Sequence, residues 1–206
     1  MPASLQGKVQ TVLGAVAPEK LGVVLPHEHL FGDVSGQMGN AAPAAPASAS
    51  DRAYFYQPIT IENLWWVRYH WNNLDNWRLV DMDTAVREAT MFKVEGGNTI
   101  VDLTVTGLGR DPLGLARVSR TTGLNIVMGT GYYREGTHPP GMDGRSEEDI
   151  SEEMVRDMTE GVEGTGVRAG IIGELGNSWP WLPNEQKVVR AGARAQHITG
   201  APVSIH

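Results

Sequence analysis

Leu21-Gly22-Val23-Val24-Leu25-Pro26-His27-Glu28-His29 runs from an apolar stretch into two histidines separated by one acid. Side chains alternate across a strand, so His27 and His29 share a face and can grip one cation while Glu28 points the other way. The same grammar recurs downstream, where short apolar runs end in polar groups. Thr99-Ile100-Val101-Asp102-Leu103 carries Asp102 and leads to Thr104, and Asn125-Ile126-Val127-Met128-Gly129 leads to Tyr132 and Tyr133. Gly170-Ile171-Ile172-Gly173 leads to Glu174, and Val203-Ser204-Ile205 to His206.

Between these runs lie helix candidates near residues 61–78, 83–95, 111–122, 147–163 and 184–199. Asp111-Pro112 supplies a cap and a proline at the first helical position, and Ser146 precedes Glu147 and Glu148. Gly96-Gly97, Gly123 and Gly200 stand where helices should stop. Strands that alternate with helices predict a parallel sheet with helical crossovers, either an open doubly wound sheet or a barrel. Strand ends converge on one mouth only in a barrel, and no glycine-rich phosphate fingerprint follows the first strand. The expected fold is therefore α/β, of the (β/α)8 TIM-barrel type, with residues 1–206 forming one domain's N-terminal portion through about the fifth strand. Val9–Gly14 and Leu21–Leu25, joined by Ala17-Pro18-Glu19-Lys20, are expected to open as a hairpin. The alanine-rich stretch 41–50 lies in a loop insertion over 35–60 that is expected to border the strand end.

Composition narrows the function. The 206-residue chain has 41% hydrophobic content, enough for a substantial core. A net charge of -7 without a basic cluster argues against nucleic acid. The absence of cysteine leaves histidine and carboxylate as the ligands available to a transition metal. No run approaches the length of a membrane span and the N-terminus lacks signal-peptide order, so the expected location is the cytoplasm.

Leu25-Pro26-His27-Glu28-His29-Leu30, Val101-Asp102-Leu103-Thr104 with Gly107-Leu108-Gly109-Arg110-Asp111, Gly129-Thr130-Gly131-Tyr132-Tyr133, Ile172-Gly173-Glu174-Leu175-Gly176 and Pro202-Val203-Ser204-Ile205-His206 occur in that order. Together they resemble the phosphotriesterase family of the amidohydrolase superfamily, over essentially the whole chain outside 35–60. The resemblance implies a centre of two divalent metal ions, zinc being expected. It also implies hydrolysis of a small-molecule ester, lactone or phosphotriester by a metal-bound hydroxide. Carried over by position, His27 and His29 match the pair on the first metal, Glu174 the bridging carboxylate, and His206 the first histidine of the second metal. Glutamate at the bridge marks a phosphotriesterase-related branch, since the phosphotriesterase proper has a carboxylated lysine there. A further histidine and an aspartate that the family carries on later strands would lie beyond His206, so the chain is expected to be the N-terminal part of a longer enzyme.

Other residues divide between site and scaffold. Either Tyr132 or Tyr133 could orient a substrate oxygen, strand alternation sending one to the mouth and the other to the helices. His138, in a Thr-His-Pro-Pro loop, is a substrate-binding candidate and equally a surface residue. Asp102 and Arg110 read as structural, His70 as packing within an aromatic segment that covers the barrel or a partner in a homodimer, and His197 as a helix-end charge. Two functions remain in view: a metal-dependent hydrolase, and a catalytically incomplete fragment or pseudo-enzyme that needs further strands or a partner chain.

Overall fold

The computed structural model describes residues 6–35, 48–70 and 73–206. Its centre is a curled parallel sheet of five strands, β3 (Val23–Glu28), β6 (Gly97–Asp102), β7 (Asn125–Thr130), β8 (Ile171–Leu175) and β9 (Val203–Ile205), in that spatial order. A doubly wound sheet would reverse its strand order at a switch point. Here each strand pairs with its successor, as in the first five strands of a (β/α)8 barrel. Among the described residues, β3 and β9 each pair within this sheet on one side only.

The crossover helices are α3 (Met82–Val94), α4 (Pro112–Thr122), α5 (Glu147–Thr159) and α6 (Pro183–Thr199). Their apolar faces close over the outside of the sheet, where Leu115, Val118, Ile126, Met128, Ile150 and Ile172 are fully or almost fully buried. Asp111 accepts the Gly114 N–H at 2.8 Å and Ser146 forms a capping box with Asp149. Gly123 and Gly200 end α4 and α6 in the left-handed region, with φ of 69° and 68°.

Four local expectations need correction. The N-terminal hairpin pairs β1 (Val9–Thr11) with β2 (Gly14–Val16), not with the Leu21 run. Thr11 Oγ1 donates to the Gly14 carbonyl at 2.7 Å, closing the turn within the first run and freeing Leu21–Leu25 to enter the barrel sheet. The candidate helix over 61–78 is divided: α2 (Leu64–His70) is followed by a 3₁₀ turn at Asp75–Trp77 and the short strand β5 (Arg78–Leu79). Asn73 donates to the Tyr54 and Gln57 carbonyls and accepts from Asn76 N–H, offering the backbone an alternative to continued helix. The 35–60 segment contains α1 (Ala49–Tyr56), capped by Ser48, so residues 49–56 are helix and not loop; positions 36–47 lie outside the described residues. The candidate helix over 147–163 stops at Thr159, just before Gly161 adopts φ 121°.

Finally, β4 (Gly32–Asp33) pairs antiparallel with β5, placing Asp33 opposite Arg78 in a small ribbon. Asp33 N–H donates to the Leu108 carbonyl at 2.9 Å, tying the ribbon to the loop beyond β6.

Candidate metal centre

Simple alternation along β8 would put Glu174 on the same face as Ile172, among the helices. The ladder with β9 shifts register between Ile172 and Leu175, so Leu175 joins Ile172 in the core and Glu174 turns to the inner face. Such irregularities re-aim side chains beside functional sites. Gly173 makes this one possible: its φ is 116°, and a Cβ there would collide with the Ser204 carbonyl oxygen. The β3 ladder also shifts register between Leu25 and Glu28, across His27 and just before His29.

The Glu174 side chain is 3% exposed and is gripped from several directions. His27 Nε2 lies 3.0 Å from Oε2, His29 Nε2 lies 3.4 Å from Oε1, and His206 Nδ1 lies 2.7 Å from Oε2. Burial pushes the Glu174 carboxyl up, but hydrogen bonds from His29 and His206 outweigh it and hold the group below its usual range. Bonding to Glu174 raises the His29 imidazole, against the opposing effect of its own burial.

Thr104 fixes the His29 ring. Its hydroxyl donates to the Phe31 carbonyl at 3.0 Å, so its oxygen accepts from His29 Nδ1 at 2.9 Å, and Nε2 is the nitrogen presented to Glu174. This is how histidine ligands are commonly oriented. Thr104→Val is expected to weaken zinc binding by about 10- to 100-fold with a modest loss of stability, of about 1 kcal/mol. Chelator competition and a thermal melt on the same protein check both parts.

Ligand atoms of His27, His29 and Glu174 all lie within 4.8 Å of one another, and neutral imidazole with carboxylate is a donor set suited to zinc, manganese, cobalt or iron. These residues fit a divalent ion. His206 reaches the same carboxylate through Nδ1, while its Nε2 is 2.8 Å from the Tyr133 hydroxyl.

The two tyrosines separate. Tyr133 lines a cleft of about 250 Å³ with His29, Thr104 and Glu174, whereas Tyr132 is buried on the helix side. Its hydroxyl donates to Glu153 at 2.6 Å and accepts from Arg145 at 2.6 Å, which removes it from the substrate candidates. His138 is also displaced from that role: Nε2 meets the Tyr133 carbonyl at 2.7 Å, and burial pushes its pKa down. It props the loop that carries Tyr133. Asp102 is fully buried and accepts the Leu30 and Thr104 N–H groups, and Arg110 is an internal ion-pair partner; both belong to the scaffold. His70 stacks on Trp66 at 4.6 Å, and His197 lies exposed in the last turn of α6.

Sequence reasoning missed Glu185. This buried carboxylate accepts Glu135, Ser178 and Leu182 N–H groups and the Ser178 hydroxyl, bracing the loops after β7 and β8. An acid in the first turn of a helix signals a cap, but nothing local signals the long-range bond to Glu135.

A sequential parallel half-barrel thus carries, at its strand ends, a buried carboxylate ringed by histidines, a donor set of the kind that can hold a metal ion. The phosphotriesterase family profile matches residues 7–206, and the chain belongs to that family of binuclear metal hydrolases. It is 40% identical over 206 residues to the N-acetyltaurine hydrolase of Xenopus tropicalis, covering 99% of this chain and 57% of that protein. A resiniferatoxin-binding protein from Rhodobacter sphaeroides superposes with a TM-score of 0.90 at 38% identity, covering 97% of this chain and 55% of the other. A phosphotriesterase homology protein from Escherichia coli, complexed with phosphate in its active site, gives 0.71 at 30% identity, with 91% and 53% covered. The chain thus spans little more than half the length of these relatives.

Proposed function

We propose that the protein is a metal-dependent hydrolase of a small molecule, with His27, His29 and Glu174 holding one divalent ion and Glu174 with His206 holding a second. The observation that carries this reading is the buried Glu174 carboxylate, with one oxygen facing His29 and the other facing His27 and His206. When bound, such ions make a water acidic enough to attack near neutral pH and polarise the oxygen of the bond to be cut. Glu174 contributes the fixed negative charge that holds the histidine nitrogens together. Thr104 keeps the His29 ring in its working orientation, and the Tyr133 hydroxyl can pass from His206 to a substrate oxygen in the same cleft.

The bond class follows from carbonyl or phosphoryl chemistry: an ester, lactone or phosphotriester suits such a site. The N-acetyltaurine hydrolase relative favours an amide as the second reading, since its named substrate is one. Zinc is the proposed metal, and the cytoplasm the proposed setting. No helix among the described residues is long and apolar enough to cross a membrane. A homodimer is proposed on the exposed Trp65 and Tyr69, one helical turn apart on α2.

The test is a hydrolysis panel on the zinc-loaded chain: N-acetyltaurine, a small lactone, an aryl ester and a phosphotriester. Turnover of at least one substrate, abolished by chelator and restored by zinc, is expected. Stoichiometric zinc without turnover of any substrate would favour the catalytically incomplete reading instead.

A further inference from the structure

The cleft lined by Glu174 and His29 has a further polar element, a guanidinium. Arg78, on β5, lines it beside Trp77, Leu79 and Val34. Its Nε donates to Ser35 Oγ at 3.1 Å and lies 3.4 Å from Asp33 Oδ2. Asp33 is occupied in turn by the Ser35 N–H at 2.9 Å and hydroxyl at 2.6 Å. Ser35 therefore gives its proton to Asp33 and accepts from Arg78, so this network fixes the guanidinium by one edge. Among the described residues, Nη1 and Nη2 have no partner, and the side chain remains 43% exposed.

A guanidinium held at Nε presents its two terminal N–H groups as a preformed fork, the geometry that binds carboxylate, sulfonate or phosphate oxygens in pairs. Asp33 offsets the net charge, but Ser35 engages its Oδ1 and its Oδ2 faces Nε at 3.4 Å, so the carboxylate braces the guanidinium edge that is already held. Trp77, Leu79 and Val34 line the same cleft and give it apolar surface, suited to a short hydrocarbon spacer.

We infer that Arg78 is a specificity-determining residue that recognises an oxyanion at the far end of the substrate, so that the preferred substrates are small acylated molecules ending in a carboxylate or sulfonate. This rests on the hydrolase reading of the Glu174 cleft. Binding is measured apart from turnover, by calorimetric titration of the chain with N-acetyltaurine, N-acetyl-β-alanine and the neutral N-propylacetamide. Both anions are expected to bind at least about tenfold tighter than the neutral amide. Arg78→Gln should erase that preference, and Arg78→Lys should restore only part of it, because a point charge lacks the fork. Equal or undetectable binding of all three probes, or a preference that survives Arg78→Gln, overturns the inference. Arg78-dependent anion binding without hydrolysis of any substrate would leave the inference standing and sink the hydrolase reading; hydrolysis without anion preference would do the reverse.

Discussion

Glu174→Gln is expected to lower the affinity for zinc by more than about 100-fold, since losing even a supporting partner of a metal ligand costs 10- to 100-fold. The amide keeps the shape of the side chain and one carbonyl oxygen but gives up the negative charge that three imidazoles face. The loss should appear in competition with a chromophoric chelator at neutral pH. Folding should survive, because an amide is cheaper to bury than a carboxylate and can still pair with the surrounding histidines. An unchanged zinc affinity would mean that the histidines hold metal without the carboxylate, contrary to the role assigned to it.

Asp157→Ala carries the second large effect, on stability. Arg110 is nearly inaccessible, its side chain 3% exposed, and donates to Asp157 Oδ2 at 3.2 Å, to the Gly129 carbonyl at 3.0 Å and to Thr106 Oγ1 at 3.2 Å. Thr130 adds a 2.6 Å bond to the same carboxylate oxygen. Burial pushes the Asp157 carboxyl up, against the pull of Arg110, so the charged pair is costly to keep and costlier to break. Removing Asp157 strands the guanidinium between β7 and α5, and a loss of about 3–5 kcal/mol is expected. For a chain of this size the melting midpoint should fall by about 10 °C. The double variant Arg110→Met with Asp157→Leu should recover much of the loss, because no buried charge is then left unpaired. A double variant as unstable as Asp157→Ala would show that the loss comes from packing.

Much of the architecture was legible because it rests on local rules. Apolar runs of strand length, the Asp111-Pro112 and Ser146 caps, and glycines at helix ends each state a preference that needs no distant partner, and all three kinds appear where expected. His27 and His29 were readable for the same reason, as neighbours in sequence. What stayed hidden depends on contacts between remote segments. The β4–β5 ribbon joins strands of two residues each, too short for any alternation to show. The inward turn of Glu174 rests on a register shift that strand periodicity alone would miss. Tyr132 and Tyr133 could be told apart only once Glu153 and Arg145 had claimed one hydroxyl and His206 the other. Arg78 and Glu185 acquire their roles from Ser35 and Glu135, far away along the chain.

The most direct measurement is an anomalous difference map from crystals of the chain soaked in zinc at neutral pH. A peak bonded at about 2.0–2.2 Å to His27 Nε2, His29 Nε2 and a Glu174 oxygen is the predicted result. Crystals that take up zinc only at other surface sites, leaving Glu174 bonded directly to the histidines, would contradict the metal centre on which the proposed function depends.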